Sequence, residues 1–291
     1  MTLAQHLLLV VHSGAETTPH LVEADAGLPQ LAVMDVAATR GDGIFETLSV
    51  ASGHPQALEA HLSRFERSAR MLDLPAPDRG VWRDAILAVA ERLAEYEESW
   101  IKTVLSRGIE GQPLPTGWVY GTVSPDFRRE RTEGLGVVLL DRGYRSDVAQ
   151  SSPWLLAGAK TLSYAVNRAA VREAQRRGAD DVIFVSTDGL VLEGPTSTVL
   201  AKRGERLSTP PSEFGILPGT TQDDLFHAAS DWGLEAIVEP LTPDDLRGAD
   251  AVWLVSSVRH AAPVRAIDGA AMTVDAALTA TMNGFLRSRR S

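Results

Sequence analysis

Leu155-Leu156-Ala157-Gly158-Ala159-Lys160-Thr161-Leu162-Ser163-Tyr164 is the stretch on which the reading of this chain turns. Lys160 follows five uncharged residues, and the segment after it runs into a helical pattern ending near Gly178. A lysine that works as a nucleophile must be partly neutral near pH 7, and burial among apolar neighbours lowers its pKa. A catalytic amine and an ordinary lysine at a helix start both fit this context. Lys102, Lys160 and Lys202 are the only lysines, while arginine is abundant. Each lysine therefore raises a specific question, although a bias toward arginine leaves a few lysines anywhere.

Outward from Lys160 toward the C-terminus, Val182–Val185, a Thr-Asp-Gly turn at 187–189 and Leu190–Glu193 read as a hairpin. Thr198–Ala201 and Leu207 read as further strands. Leu217-Pro218-Gly219-Thr220-Thr221 leads into a helix with Leu225, Phe226, Ala229 and Trp232 on one side, ended by Gly233. Strands at Glu235–Val238 and Val252–Val258 and a helix containing Leu278, Met282 and Phe285 complete this half. Toward the N-terminus the pattern predicts strands at Leu7–Val11 and Ile44–Val50. Helices follow at Leu58–Leu72, with a stripe of Leu58, Leu62, Phe65, Ala69 and Leu72, and at Asp78–Tyr96, with Asp78 as cap. Three strands, Trp100–Ser106, Trp118–Val123 and Gly136–Leu140, come next. Helices and strands mix without strict βαβα alternation, so the expected class is α+β, in two domains. The expected division is a smaller N-terminal domain over 1–145, a connection at 146–155 and a larger domain over 156–291.

The composition sets outer limits. A chain of 291 residues with 44% hydrophobic and 23% charged residues suits a globular protein with two cores. A net charge of −10 repels phosphate backbones, so nucleic acid is not an expected partner. The absence of cysteine excludes disulfides, thiolate metal sites and a cysteine nucleophile, and no metal is expected. The apolar run at Leu7–Val11 is too short to span a bilayer and lacks a basic segment before it, which makes the cytoplasm the default expectation.

Several residues carry possible chemistry. Glu193, at a strand end, fits a carboxylate facing a protonated ring nitrogen, or a turn glutamate in water. Thr220 and Thr221 open a helix whose N-terminus suits a phosphate, or they cap it in the ordinary way. Arg64 flanks its helix stripe beside His61 and Ser68, as a phosphate clamp or as surface charge. Ser257, after Ser256, ends an apolar strand, where its hydroxyl reaches an anion or bonds locally.

The order of these features along the chain resembles the fold-type IV enzymes that use pyridoxal 5′-phosphate (PLP). That family includes branched-chain aminotransferases, D-amino acid transaminases, (R)-amine transaminases and aminodeoxychorismate lyases. The resemblance runs from about Asp35 to Gly269. It rests on Arg40-Gly41-Asp42-Gly43-Ile44-Phe45-Glu46-Thr47, His61-Leu62-Ser63-Arg64-Phe65 and Lys102-Thr-Val-Leu-Ser-Arg107-Gly108. It continues through Lys160-Thr161-Leu162-Ser163, Leu192-Glu193-Gly194-Pro195-Thr196-Ser197, Leu217 to Thr221, Pro263-Val264-Arg265 and Ile267-Asp268-Gly269. The resemblance implies a homodimer of two-domain subunits with PLP in the interdomain cleft. It makes Lys160 the Schiff-base lysine and Glu193 the partner of the pyridine nitrogen. Arg64, Thr220, Thr221 and Ser257 would hold the phosphate.

The reaction is less directly written. D-amino acid transaminases carry an Arg-x-His pair just after the Ser-Arg-Gly block, and a tyrosine where Phe45 stands. This chain has Ile109-Glu110-Gly111-Gln112-Pro113-Leu114 there, and the Gly-rich, Arg-containing stretch of familiar lyases is missing too. Candidates for a substrate carboxylate are Arg40, Arg107, Arg128 and Arg129. Arg107 matches the motif best, and a structural role at a strand end is equally open to it. Lys160 to Asn167 and Asp180 to Ser186 are similar to aminodeoxychorismate lyase-like sequences. The expectation is therefore a lyase forming 4-aminobenzoate and pyruvate. Transamination of D-amino acids or (R)-amines is the alternative, ahead of a branched-chain aminotransferase or an inactive protein of this fold.

Overall fold

Along Gly43–Ala51, Ile44, Glu46, Leu48 and Val50 alternate with Phe45, Thr47 and Ser49, so a strand here has two different faces. The computed structural model describes residues 5–11 and 19–289 and divides the chain into two compact units. One contains the residues up to Pro125 together with Ala159–Tyr164 and the C-terminal residues from Ser288. The other contains Asp126–Gly158 and Ala165–Arg287.

The first unit holds β1 (Gln5–Val11), β2 (His20–Ala24), β3 (Gly43–Ala51), β4 (His54–Pro55), β5 (Glu98–Ser106) and β6 (Thr116–Val123), with α1 (Val36–Thr39), α2 (Leu58–Met71) and α3 (Arg79–Glu91). The strands form an antiparallel sheet in the order β2-β1-β6-β5-β3-β4. The face bearing Ile44, Leu48, Ile101 and Val119 is buried with Phe65 of α2 and Trp82, Ile86 and Val89 of α3. Phe65 and Trp82 meet edge to face at 4.9 Å. A Cβ at Gly121 would lie 2.4 Å from Val89 Cγ1, so glycine lets α3 approach the sheet closely. Asp78 caps α3 as expected, accepting from Gly80 N and Val81 N. The helix ends at Glu91 rather than Tyr96, because Leu93 and Ala94 continue as turns.

The second unit holds α4 (Arg128–Thr132), β7 (Leu135–Asp141), α5 (Val148–Ser151), α6 (Ala165–Arg176), β8 (Asp181–Val185), β9 (Thr198–Arg203) and β10 (Arg206–Thr209). It continues with α7 (Thr220–Ala228), β11 (Glu235–Val238), α8 (Pro243–Arg247), β12 (Ala251–Ser256), β13 (His260–Ile267), β14 (Ala270–Ala271) and α9 (Ala276–Ser288). Its sheet runs β11-β10-β9-β12-β13-β7-β8, with β14 beside β13. One face buries Leu207, Leu225, Trp253, Met282 and Leu286 with α7 and α9. The other buries Val137, Ile183, Val252 and Leu254.

The α+β class agrees with the sequence, and the two units divide the chain elsewhere than at the expected connection. The sequence places the boundary at 146–155, whereas the units divide between Pro125 and Asp126. Proximity in sequence groups β7 with β5 and β6, yet it pairs in parallel with β13 and β8. The expected connection contains α5. Lys160, expected in the C-terminal domain, belongs with the first unit. The strand expected over Val252–Val258 stops at Ser256, and the chain reverses at His260 (φ 61°) into β13. The hairpin arm Leu190–Glu193 is not a full strand but pairs with β8 through the bridge Val185 to Val191 and through backbone hydrogen bonds between Phe184 and both Leu192 and Glu193. Among the described residues no helix is long and apolar enough to cross a membrane.

Candidate active site

Lys160 is placed by pairing with the start of β3. Thr161 bridges Ile44 antiparallel, Phe45 N donates to Lys160 O at 3.0 Å, and Leu162 N donates to Gly43 O at 2.8 Å. Lys160 N in turn donates to Ser68 Oγ on α2 at 3.2 Å. This pairing sets Lys160 opposite Phe45, on the same face of the sheet. Its ammonium stands 4.4 Å from the Phe45 ring centre and 6.0 Å from that of Tyr164. The two rings meet edge to face at 5.3 Å. A half-buried amine against aromatic walls, in a backbone fixed from both sides, is how a reactive lysine is held.

On the opposite face of β3 lies a charged cluster in which Arg64, the expected phosphate clamp, is joined by Glu46 and His61, which the sequence reading did not assign to the site. Glu46, 1% exposed, receives Arg64 Nε and Nη2 at 2.7 Å each, and His61 Nδ1 at 2.7 Å. Burial pushes the Glu46 carboxyl up. The Arg64 charge and the hydrogen bonds from Arg64 and His61 outweigh it and hold the group well below the usual carboxylate range. Burial holds His61 below its ordinary value of 6.5, against the pull of Glu46 and with help from the charges of Arg64 and Lys160. A neutral His61 therefore donates from Nδ1 to Glu46. Arg64 is thus a buried side chain with one edge of its guanidinium fixed, not a surface charge. The signal in the sequence is Glu46 itself, an acid between Ile44 and Leu48 on the apolar side of a strand.

The other arginines of the first unit divide. Arg107 donates Nε to Asp42 Oδ2 at 2.7 Å, Nη2 to Leu72 O at 2.7 Å and Nη1 to Asp73 O at 3.1 Å, closing the end of α2. These contacts fit the structural role of the two open to it. Arg40 is exposed, with its backbone N–H closing α1.

In the second unit, Leu217 N donates to Glu193 Oε2 at 3.1 Å, which ties Glu193 to the segment leading into α7. The first turn of α7 has no side-chain cap, and Thr220 and Thr221 are buried there. Thr221 Oγ1 is enclosed without a hydrogen-bond partner among the described residues. A Cβ at Gly219 would lie 2.3 Å from Thr198 Oγ1, so only glycine fits between the helix start and β9. Thr198 pairs with Val255, two residues before Ser257, so both hydroxyl-bearing segments sit at the same end of the sheet. Arg131 of α4 braces the turn after Ser257, donating Nη2 to Val258 O at 3.1 Å and Nε to Arg259 O at 3.0 Å. An uncapped helix start, an enclosed hydroxyl without a partner and a glycine-tight approach fit a phosphate group. Beside Glu193, Arg142 donates to Asn167 Oδ1 at 3.2 Å and Asn167 donates to Pro195 O at 2.7 Å. Arg128 and Arg129 are exposed and paired with Asp126 and with Glu133 and Asp180. Lys160, Arg64, Phe45, Arg40 and Arg107 thus lie in the first unit, and Glu193, Thr220, Thr221 and Ser257 in the second.

Comparison with known proteins agrees with the family resemblance. The family model for amino-transferase class IV matches residues 43–267. The chain is 46% identical over 255 residues to a bifunctional aminodeoxychorismate lyase / D-amino acid transaminase of Mycobacterium tuberculosis, covering 84% of this chain and 88% of that one. Its fold matches a fold IV-transaminase from Curtobacterium pusillum with a TM-score of 0.94 and 51% identity, over 98% of this chain and 100% of that chain. It matches the PLP-bound form of a hypothetical aminotransferase from M. tuberculosis with a TM-score of 0.90 and 40% identity, over 97% and 99% of the two chains. The chain belongs to the class IV amino-transferases, the family of fold-type IV enzymes that depend on pyridoxal phosphate.

Proposed function

We propose that this enzyme is an aminodeoxychorismate lyase, converting aminodeoxychorismate to 4-aminobenzoate and pyruvate. The observation that carries the reading is the engagement of Arg107 with Asp42 and the end of α2. Residues 109–114 also contain no arginine or histidine. An α-carboxylate clamp of the D-amino acid transaminase type therefore has no residues in this segment. Lys160 holds the cofactor, Arg64, Thr220, Thr221 and Ser257 hold its phosphate, and Glu193 keeps the proton on its ring nitrogen. Bound PLP would supply an electrophilic carbon at which the substrate amine displaces Lys160, and a ring that withdraws electrons from the carbon bearing nitrogen. Lys160 Nζ takes the proton from that carbon. Phe45 and Tyr164 shield the amine from water. The neighbouring C–O bond would break to release enolpyruvate, to which the proton held at Lys160 Nζ would pass to give pyruvate, and aromatisation of the ring drives the loss, with no oxidant and no second substrate. A homodimer is part of this reading.

Transamination of D-amino acids is the second reading, favoured by the double name of the M. tuberculosis relative and by the C. pusillum transaminase. Purified holoenzyme given aminodeoxychorismate should release 4-aminobenzoate and pyruvate with no keto acid added. Turnover of D-alanine that requires a keto acid, with no 4-aminobenzoate from aminodeoxychorismate, reverses the order of the two readings.

A further inference from the structure

Arg64 and Ser68 lie four residues apart on α2, so one stands above the other on the same side of the helix. Ser68 is fully buried, and inside a helix serine is a poorer choice than alanine. A buried hydroxyl is costly unless it is hydrogen-bonded. Here Ser68 Oγ receives Lys160 N at 3.2 Å. The carbonyl of Lys160 is held by β3, because Phe45 N donates to it at 3.0 Å. Glu46, the next residue along β3, receives Arg64 Nε and Nη2 at 2.7 Å each.

These bonds close a circuit. It runs from Ser68 to Lys160, from Lys160 to Phe45 and Glu46, from Glu46 to Arg64, and back along one turn of α2 to Ser68. Lys160 and Arg64 are therefore set relative to one another by two routes, one through the strand and one through the helix. The strand route uses backbone and a buried ion pair, whereas the helix route depends on a single hydroxyl. A ligand gripped at two points gains from the second grip only where the distance between the grips is already right. A ligand gripped by the amine alone follows the amine and is indifferent to that distance.

We infer that Ser68 is a positioning residue, which sets the spacing between the Lys160 amine and the Arg64 guanidinium so that the cofactor's phosphate serves to present its aldehyde to Lys160. This rests on the reading of Lys160 and Arg64 as cofactor residues, and it goes beyond that reading by naming what holds the two in register.

The test titrates the full-length enzyme, freed of cofactor, with PLP and with pyridoxal, which lacks only the phosphate. Visible absorbance follows binding, and borohydride reduction with peptide mapping locates the modified residue. The wild type is expected to take up PLP far more tightly than pyridoxal, both at Lys160. Ser68→Ala should lower that preference by about tenfold, with the affinity for pyridoxal changed by less than about twofold. Alanine fits the space of serine and favours the helix, so the variant is expected to fold, which circular dichroism checks. An unchanged preference in Ser68→Ala overturns the proposal, as does equal weakening of both ligands, the mark of a merely structural role. If the label sits on Lys102 or Lys202, the reading of Lys160 falls and the proposal with it. No preference in the wild type removes the phosphate site, and again the proposal with it. If the label sits on Lys160 and both proteins prefer PLP equally, the reading stands and the positioning role alone falls.

Discussion

At the scale of single residues, the Glu46-His61-Arg64 cluster has consequences for stability and for pH. Glu46 is fully enclosed, so removing its charge leaves the Arg64 guanidinium without its counter-ion. Breaking such a buried pair from one side typically costs about 3–5 kcal/mol. Glu46→Gln is therefore expected to lower the melting temperature markedly, and a melt within a degree or so of wild type, read against the usual few degrees per kcal/mol, contradicts the assignment. His61 is held below its ordinary 6.5, so the unfolded chain takes up a proton that the folded ring refuses. Stability then falls as the pH drops below that value. Glu46 is depressed from its ordinary 4.5, so its contribution is present above that value and is lost as the pH falls through its lower folded value. Both effects make acid destabilising, and His61 acts first. His61→Gln should flatten the fall in melting temperature between about pH 6.5 and 5 relative to wild type. Parallel slopes in the two proteins would remove His61 from this account.

At the scale of elements, the start of α7 makes the sharpest demand on sequence. A methyl group at Gly219 would meet Thr198 Oγ1, so Gly219→Ala must push the helix start away from β9. PLP is expected to dissociate roughly tenfold more readily from this variant, about 1.4 kcal/mol, with overall stability much less affected. Retention of the cofactor through dialysis at the wild-type rate counts against a phosphate at this helix start. The helix start at Gly219-Thr220-Thr221 was legible because the glycine and the two hydroxyl residues are neighbours in sequence. So was α2, whose Leu62, Phe65 and Ala69 stripe is the buried face. β13 was not, because Pro263 interrupts its pattern and the reversal depends on His260 adopting a left-handed backbone. Nor did sequence show that β7 leaves the company of β5 and β6, since its partners β13 and β8 pair with it from far along the chain. The role of Arg107 was undecidable for the same reason, because Asp42, Leu72 and Asp73 become its neighbours only in the folded chain.

At the scale of the whole molecule, the first unit is not a continuous length of chain. Residues 159–164 return to it from within the second unit and cover the backbone of Gly43–Phe45, next to the fully buried Ile44. A fragment ending at Pro125 lacks that cover and its hydrogen bonds. It should melt less cooperatively than the same fragment with 159–164 joined to it, as circular dichroism can report. Equal melts would mean that the inserted segment adds nothing to the stability of the sheet. The near-absence of lysine has a different outcome. All three lysines are partly covered, and none is among the exposed residues. An amine-reactive dye or an amine-coupling support thus finds few side-chain targets, none of them fully exposed, and one of the three is Lys160, the proposed reacting amine. Conjugation chemistry that merely decorates most proteins would here compete with substrate, so this enzyme is best tethered through its carboxylates.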